Sequence, residues 1–478
     1  MNRTRSASYR LILFLLLAIP SLANAIALKP IIVIVHNQSE KKISGLPSIR
    51  GENGEPFNFF YQVGGKIEYL LIPKGDKPVQ IDIHPDHPMI ELVYLYKQLD
   101  KISYFLSSGD TLYIDIVDGK PNAYHSNAIT THENANLEIL WRERIAPGDY
   151  LSVIKLKESL LRKKDPLSTP ELEHKANNEI NAIYPIIDSL VRNKSMLPGI
   201  AALYRIKYDF IKRAIGDDLD KMNDEQLKAL MVDSLLRYDF YRRFIFRSAN
   251  GRYGKLNKVS MGNTGTVGDF RPGYDAVATS TIYEGSAREL LLKASMTNIV
   301  KYATVDQIDE YLKKFERDLQ DKQIYTDFVE KYELKSKVSN DIMLEAVDGS
   351  GISLMKLLER YNGTPVYIDW WASWCVPCIA AMPASKNLVQ QYQGKAIVFL
   401  YLSFDDNIEK WKEKIKALNI PNAVHYRVAN VKRSRMLDKL KIPPIPRYML
   451  YDKNSRLVHE NAPSPESTEV LTLLNGII

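Results

Sequence analysis

The rhythm of apolar and polar positions changes twice along this chain of 478 residues. Over residues 26–135 the apolar residues come in short, β-branched or aromatic runs punctuated by turn residues, a strand pattern. The run Ile-Ile-Val-Ile-Val at 31–35 is followed by 57–63, 67–72, 79–83 and 111–117, the last entered through Ser108-Gly109-Asp110. A small β-sandwich or sheet is the expected form. Over 136–335 the spacing becomes helical. Leu151, Ile154, Leu160 and Leu161 stripe one segment, and Ile180, Ile183, Ile187, Leu190 and Val191 another. Thr304-Val305-Asp306-Gln307 is a capping-box pattern that opens a further helix. The Gly-rich stretch 250–273 reads as a long loop between helices. Its Gly262-x-x-Gly265-x-x-Gly268 lacks the Lys-Ser/Thr and the preceding apolar strand of a phosphate loop. Over 336–478 strands and helices alternate: strand 365–369, helix 375–391, strand 396–403, helix 408–418, a hairpin of 447–451 with 456–459, and a closing helix at 467–474. That order makes a βαβ unit, a β-hairpin and a helix, an α/β arrangement.

The expected fold is therefore multidomain, with a β-rich domain at 26–135, an α-helical region at 136–335 and an α/β domain at 336–478. Hydrophobic residues at 45% and charged residues at 25% suit globular domains with sizeable cores. The formal charge of +7 is dispersed, with Lys and Arg interleaved among acids, so nucleic acid is not an expected partner.

Residues 1–25 have the build of a secretory signal peptide. Arg3, Arg5 and Arg10 precede an apolar run at 11–19; Pro20 and Ser21 break it, and Ala23-Asn24-Ala25 has the small-x-small pattern of a cleavage site. The run is short for a membrane-spanning helix. The alternative is a retained anchor reaching Leu28. The expected location is outside the cytoplasm, in the periplasm or cell envelope, where a Cys pair can cycle or lock as a disulfide.

Both cysteines of the chain lie in Trp374-Cys375-Val376-Pro377-Cys378. An apolar strand ends just before them and a helical pattern begins at them. Cys375 would then sit at a helix N-terminus, where free N–H groups and the dipole stabilise a thiolate, the form that attacks a disulfide. Cys378, one turn later, could displace the mixed disulfide. A static disulfide across so short a loop would stabilise little. A zinc site would need further ligands, and the only clustered pair, His84 and His87, lies far off in a Pro-bound loop. Neither metal nor other cofactor is expected.

The block from Val366 through Trp370-Trp371-Ala372-Ser373-Trp374-Cys375-Val376-Pro377-Cys378 to Pro383 resembles the TlpA/ResA-like family of exported thiol–disulfide oxidoreductases. So does Ile442-Pro443-Pro444-Ile445-Pro446-Arg447, which is similar to the region of that fold's cis-proline. The resemblance covers about 140 residues at the C-terminal end and implies a thioredoxin-like fold there. It implies Cys375 as nucleophile, Cys378 as resolving thiol and a redox-active disulfide between them. Trp374, Ile445 and cis-Pro446 would form the substrate-binding edge. Asp369 would be a buried proton acceptor for the resolving thiol, with a pKa raised by desolvation; many relatives carry Asn there. Two positions depart from the family's pattern. Ala381 stands where a Glu is frequent, and Arg447 where Thr usually follows the cis-proline. Both put the transfer of partner specificity in doubt.

The function expected is an exported oxidoreductase that exchanges its dithiol with protein thiols and disulfides, as reductant or isomerase, since Ile445 before the proline resembles reducing thioredoxins. A reductant there needs a membrane electron donor. Two alternatives stand beside it. A peroxiredoxin-like thiol peroxidase shares the fold but wants Thr three residues before its cysteine, where Ala372 stands. An envelope binding or assembly protein would use the first 335 residues and leave the thioredoxin-like domain non-catalytic.

Overall fold

The computed structural model describes residues 27–38, 57–96, 100–125, 136–138, 169–215, 222–253, 258–260, 266–442 and 444–478. The expected signal segment 1–25 and the stripe Leu151, Ile154, Leu160 and Leu161 lie outside them. The chain divides into two compact units. One runs through Lys255 and includes Ser280–Arg288; the other joins Leu256–Thr279 to Glu289–Ile478.

The first unit opens with eight strands: β1 (Ile31–Asn37), β2 (Phe59–Val63), β3 (Lys66–Leu70), β4 (Val79–Ile83), β5 (Met89–Tyr96), β6 (Asp100–Ser107), β7 (Thr111–Val117) and β8 (Lys120–His125). They form two four-stranded sheets, ordered β4-β1-β7-β8 and β3-β2-β5-β6. The strict alternation of β1 and β7 turns Ile31, Val33, Val35, Leu112, Ile114 and Ile116 inward, into one core with Leu92, Tyr94, Ile102 and Leu106 of the other sheet. The β-sandwich follows from period-2 burial. Strands β5, β6 and β8 are absent from the sequence reading. Along β5, residues 89–94 are buried without a break, so no alternation marks it as a strand. Its second face is covered by helices.

Those helices are α1 (Thr169–Arg192), α2 (Pro198–Ile215), the short α3 (Asp224–Lys228) and α4 (Asp239–Tyr253). Of the expected stripe on α1, Ile180, Ile183, Ile187 and Leu190 are buried and Val191 is half-buried. Between sheet and helices lies a buried charged network. Lys207 of α2 pairs with Glu138 and donates to the Ser103 hydroxyl at 2.8 Å; Ser103 donates to Glu91 at 2.5 Å; and Glu91 accepts the backbone N–H of Asp239 at the start of α4. Lys101 and Arg243 both pair with the Asp239 carboxylate at 3.0 Å.

The stretch 250–273 is not one loop. It completes α4, forms a hairpin of β9 (Lys258–Ser260) and β10 (Thr266–Gly268), and starts α5 (Arg271–Ala278). Pro272 in the first turn suits a helix start, where its missing N–H leaves no gap. Helices α6 (Gly285–Tyr302), α7 (Val305–Asp318) and α8 (Lys322–Lys331) follow. At α7 the Gln307 side chain accepts the Thr304 N–H at 3.0 Å, the expected capping box.

The rest of the second unit is β11 (Met343–Ala346), β12 (Gly351–Ser353), α9 (Leu354–Arg360), β13 (Val366–Trp371), α10 (Val376–Gln391), β14 (Val398–Ser403), α11 (Ile408–Leu418), β15 (Val424–Val428), α12 (Arg435–Leu440), β16 (Arg447–Tyr451), β17 (Leu457–His459) and α13 (Thr468–Ile477). One sheet holds all seven strands, in the order β12-β11-β15-β14-β13-β16-β17. Strand β13 lies inside it, parallel to β14 and antiparallel to β16, and every one of its residues is buried. The C-terminal end of β13 therefore delivers the next residues to a rigid edge. Helix α7 packs on α12 within this unit: Arg433 pairs with Asp309, Arg435 with Asp306 at 2.8 Å, and Asp438 accepts the Val305 N–H at 2.6 Å. Among the described residues no helix is long and apolar enough to cross a membrane.

Candidate active site

Strand β13 ends at Trp371, and Ala372-Ser373-Trp374 turns the chain into α10. Cys375 is the N-cap residue, in extended backbone conformation, and its N–H donates to the Ala372 carbonyl at 3.1 Å. Its Sγ accepts the Cys378 backbone N–H at 3.3 Å. The sulfur thus takes the place a Ser or Asp oxygen fills at an ordinary helix start. Pro377 lies in the first turn, and no acidic residue there offsets the positive end of the helix. Cys375 and Cys378 are joined as a disulfide. Both sulfur-bearing residues are almost fully buried, whereas their neighbours Trp374 and Val376 are 62% and 79% exposed. Two apolar side chains stand in solvent directly beside the disulfide.

The turn is held from below. Asp405, just past β14 and buried, accepts the Ser373 N–H at 2.8 Å, the Ser373 hydroxyl at 2.5 Å and the Ser403 hydroxyl at 2.6 Å. The Phe404 N–H adds a bond to the Trp371 carbonyl at 3.0 Å. Charge-assisted bonds of this kind are stronger than neutral ones. Nothing in the sequence pattern marks Asp405 as the anchor of the turn, because Ser373 lies 32 positions away along the chain.

Register brings the proline loop to the same end of the sheet. Arg447 pairs with Trp370 across β13 and β16, so the residue before it lies level with the start of the cysteine turn. That residue is Pro446, and the Ile445–Pro446 peptide is cis. Ile445 is half-buried against the domain core. Arg447, where the resemblance implies Thr, is held at the base of the loop. It donates to the Lys441 carbonyl at 3.0 Å, the Glu460 carbonyl at 3.2 Å and the Glu460 carboxylate at 2.8 Å.

Asp369 sits inside β13, between Tyr401 of β14 and Tyr448 of β16. It is fully enclosed rather than partly exposed at a strand end. Burial pushes its carboxyl up to about 7, and the Ser385 hydroxyl pulls only partly against that. A carboxyl with that value can exchange a proton near neutral pH.

Residues 363–457 match the family model described as thioredoxin-like. The thiol–disulfide oxidoreductase ResA of Bacillus thuringiensis is 24% identical over 131 residues, 27% of this chain and 70% of that protein. ResA of Geobacillus thermodenitrificans is 27% identical over 103 residues, 21% of this chain and 55% of the relative. A solved structure of a putative thiol-disulfide oxidoreductase from Bacteroides vulgatus is 31% identical, over 29% of this chain and 92% of its own, with a TM-score of 0.25. The C-terminal domain is thioredoxin-like and, over its last ~130 residues, similar to the ResA thiol–disulfide oxidoreductases. The thioredoxin-like domain makes the protein a thiol–disulfide oxidoreductase. It fills the smaller part of the chain; the β-sandwich and helices before it lie outside all of these matches. An exposed lipoprotein thioredoxin from Streptococcus pneumoniae is 24% identical over 28% of this chain and 98% of its own, with a TM-score of 0.24.

Proposed function

We propose that the protein is exported and exchanges its Cys375/Cys378 pair with the thiols and disulfides of other proteins in the periplasm or cell envelope, as a reductant or isomerase. The observation that carries this is the Cys375 sulfur at the N-cap of α10, accepting the Cys378 N–H beside the exposed Trp374 and Val376. In the reduced protein the same N–H and helix dipole would favour the Cys375 thiolate. The thiolate attacks a client disulfide, forms a Cys375–client bond and releases one client sulfur as a thiolate. Cys378 then attacks the Cys375 sulfur, the internal disulfide forms and the second client sulfur leaves. Two electrons pass to the client and the domain ends oxidised.

The apolar rim of Trp374 and Val376, with Ile445 and Pro446 at the same end of the sheet, suits an unfolded or extended polypeptide rather than a small molecule. Ile445 before the proline supports the reducing direction, as in the resemblance to reducing thioredoxins. Such a reductant draws its electrons from a membrane donor. The apolar run at 11–19 with its basic start supports export.

The test is a trap. With Cys378→Ser, Cys375 should hold clients as mixed disulfides that dissolve in reductant and are identified by mass spectrometry. If Cys375 alkylates readily in that variant and yet holds no protein from envelope extracts, client exchange is refuted. Localisation is checked separately, by fractionation and by the N-terminal residue of the mature chain.

A further inference from the structure

Four polar groups of the described residues stand beside Asp369. Tyr401 flanks it from β14, Tyr448 from β16 and Tyr367 lies on its own strand, while α10 supplies Ser385. None of them is a cation. Ser385 lies seven residues after Cys378, so both share the face of α10 that packs on the sheet, and both are buried. The Ser385 hydroxyl is 3.4 Å from Asp369 Oδ2 and 2.7 Å from the Tyr401 hydroxyl. Asp369 Oδ1 has no hydrogen-bond partner among the described residues. A hydroxyl has one hydrogen to give. With the Ser385 hydrogen directed at Asp369, Tyr401 is the donor to Ser385, and the three groups form a directed chain, Tyr401 to Ser385 to Asp369. The outer edge of this chain is closed by the His425 ring, 5.0 Å from that of Tyr401.

We propose that Ser385 and Tyr401 are positioning residues for the exchange reaction, a serine–tyrosine pair that takes the place of a charged partner in setting how tightly Asp369 holds its proton. This rests on the exchange chemistry proposed above, with Asp369 as the proton acceptor for Cys378 that the family resemblance implies. In the resolving step the Cys378 thiol gives its proton to the Asp369 carboxylate, the Cys378 thiolate bonds to the Cys375 sulfur, and the client leaves as a thiolate. The step needs Asp369 ionised beforehand. A donor on one carboxylate oxygen favours that form, and a second donor behind the first strengthens it. The neutral pair does so without placing a permanent positive charge beside the thiols, where it would also stabilise their thiolates.

The pair is tested by following the carboxyl carbonyl band of the reduced full-length protein with infrared spectroscopy as pH is varied. The Asp369 band is the one missing from Asp369→Asn. Ser385→Ala should move its midpoint upward by about 0.5–1 pH unit, less than a short hydrogen bond to a charged acceptor would give, because this one is 3.4 Å long. Tyr401→Phe, which deletes a single oxygen, should move it upward by less. The deciding observation is the pair of substitutions together: with Ser385 already Ala, Tyr401→Phe should add no further shift, because Tyr401 acts only through Ser385. Ser385→Thr, which keeps the hydroxyl, should restore the wild-type midpoint. An unchanged midpoint in Ser385→Ala, or a Tyr401→Phe shift of full size without Ser385, overturns the proposal. So does the absence of any titrating band lost in Asp369→Asn. Insulin reduction is measured in parallel. Failure of the wild type to reduce insulin at any pH counts against the exchange reading, while the infrared midpoints still decide the role of the pair.

Discussion

Asp405 grips Ser373 with both carboxylate oxygens, one on the backbone N–H at 2.8 Å and the other on the hydroxyl at 2.5 Å. Ser373 stands two residues before Cys375, so the grip fixes the turn that carries the nucleophile. The Ser403 hydroxyl completes the acceptor's shell at 2.6 Å. Replacing Asp405 by Ala leaves two hydroxyls and one N–H without their acceptor in a buried place. The expected cost is about 2–3 kcal/mol in urea unfolding, with slower insulin reduction. Asp405→Asn, which keeps one acceptor oxygen, should lie between the two. Full activity in Asp405→Ala would show that the turn holds its shape without this anchor.

The two sulfurs should separate cleanly by substitution. Cys375→Ser is expected to bring insulin reduction down to the buffer background. Cys378→Ser should also lose turnover while gaining a covalent client adduct, because the first attack proceeds and the second does not. Adducts on Cys378 in the Cys375→Ser protein, with none in the converse, would reverse the assignment.

Asp369 makes stability depend on pH. Burial raises its folded value to about 7, above the usual carboxylate range. Between the unfolded and folded values the native state binds more protons than the unfolded chain, so its contribution to stability falls as pH rises through this window and stays low above it. Asp369→Asn removes that loss. At pH 8 the variant is expected to be more stable than the wild type, by up to on the order of 4 kcal/mol. Near pH 3 the advantage should vanish. Chemical denaturation at the two pH values measures it, and an equal difference at both would contradict the burial argument.

In the first unit, Lys207 and Glu138 pair with almost no solvent contact. Lys207→Met strands a carboxylate among Ser103, Tyr204 and Tyr208, and about 3–5 kcal/mol of destabilisation is expected. Replacing both, Lys207→Met with Glu138→Leu, should cost less than the single change, because an uncompensated charge is worse than none. Urea unfolding followed by tyrosine fluorescence compares them. A double variant weaker than the single would assign the pair a net stabilising role.

Arg447 fastens the loop that carries Ile445 and Pro446, through Lys441 and Glu460. Arg447→Ala should raise KM for a protein substrate more than it lowers kcat, since it loosens a binding edge and leaves both sulfurs in place. Arg447→Lys should not restore the value, because an ammonium lacks the planar fork that reaches three acceptors. Equal loss in kcat and kcat/KM would place Arg447 in the chemical step.

Local pattern was enough for much of the molecule. Strands β4 and β7 and helix α11 fall on the expected bounds, because each alternates or stripes against a single apolar face. The cysteine spacing and the strand before it located the turn and the helix start at Cys375, since both depend on neighbours in the chain. The proline loop was legible only through its likeness to a family. Strands β5, β6 and β8 were not legible. Along β5, burial on both faces erases the alternation that would announce a strand, and the charged residues Glu91 and Lys101 face helices that no local window contains. The stretch 250–273 misled because glycine-rich sequence is read as loop, whereas its described residues pair as β9 and β10 and enter α4 and α5.

What the sequence determined by itself was which residues could do redox chemistry, since reactivity needs two sulfurs one helical turn apart. Only the tertiary structure decided what surrounds them: the Asp405 anchor, the cis Ile445–Pro446 loop at the same sheet end, and the Tyr401–Ser385–Asp369 chain. Those groups come from different strands and helices, and sheet register alone sets which of them meet.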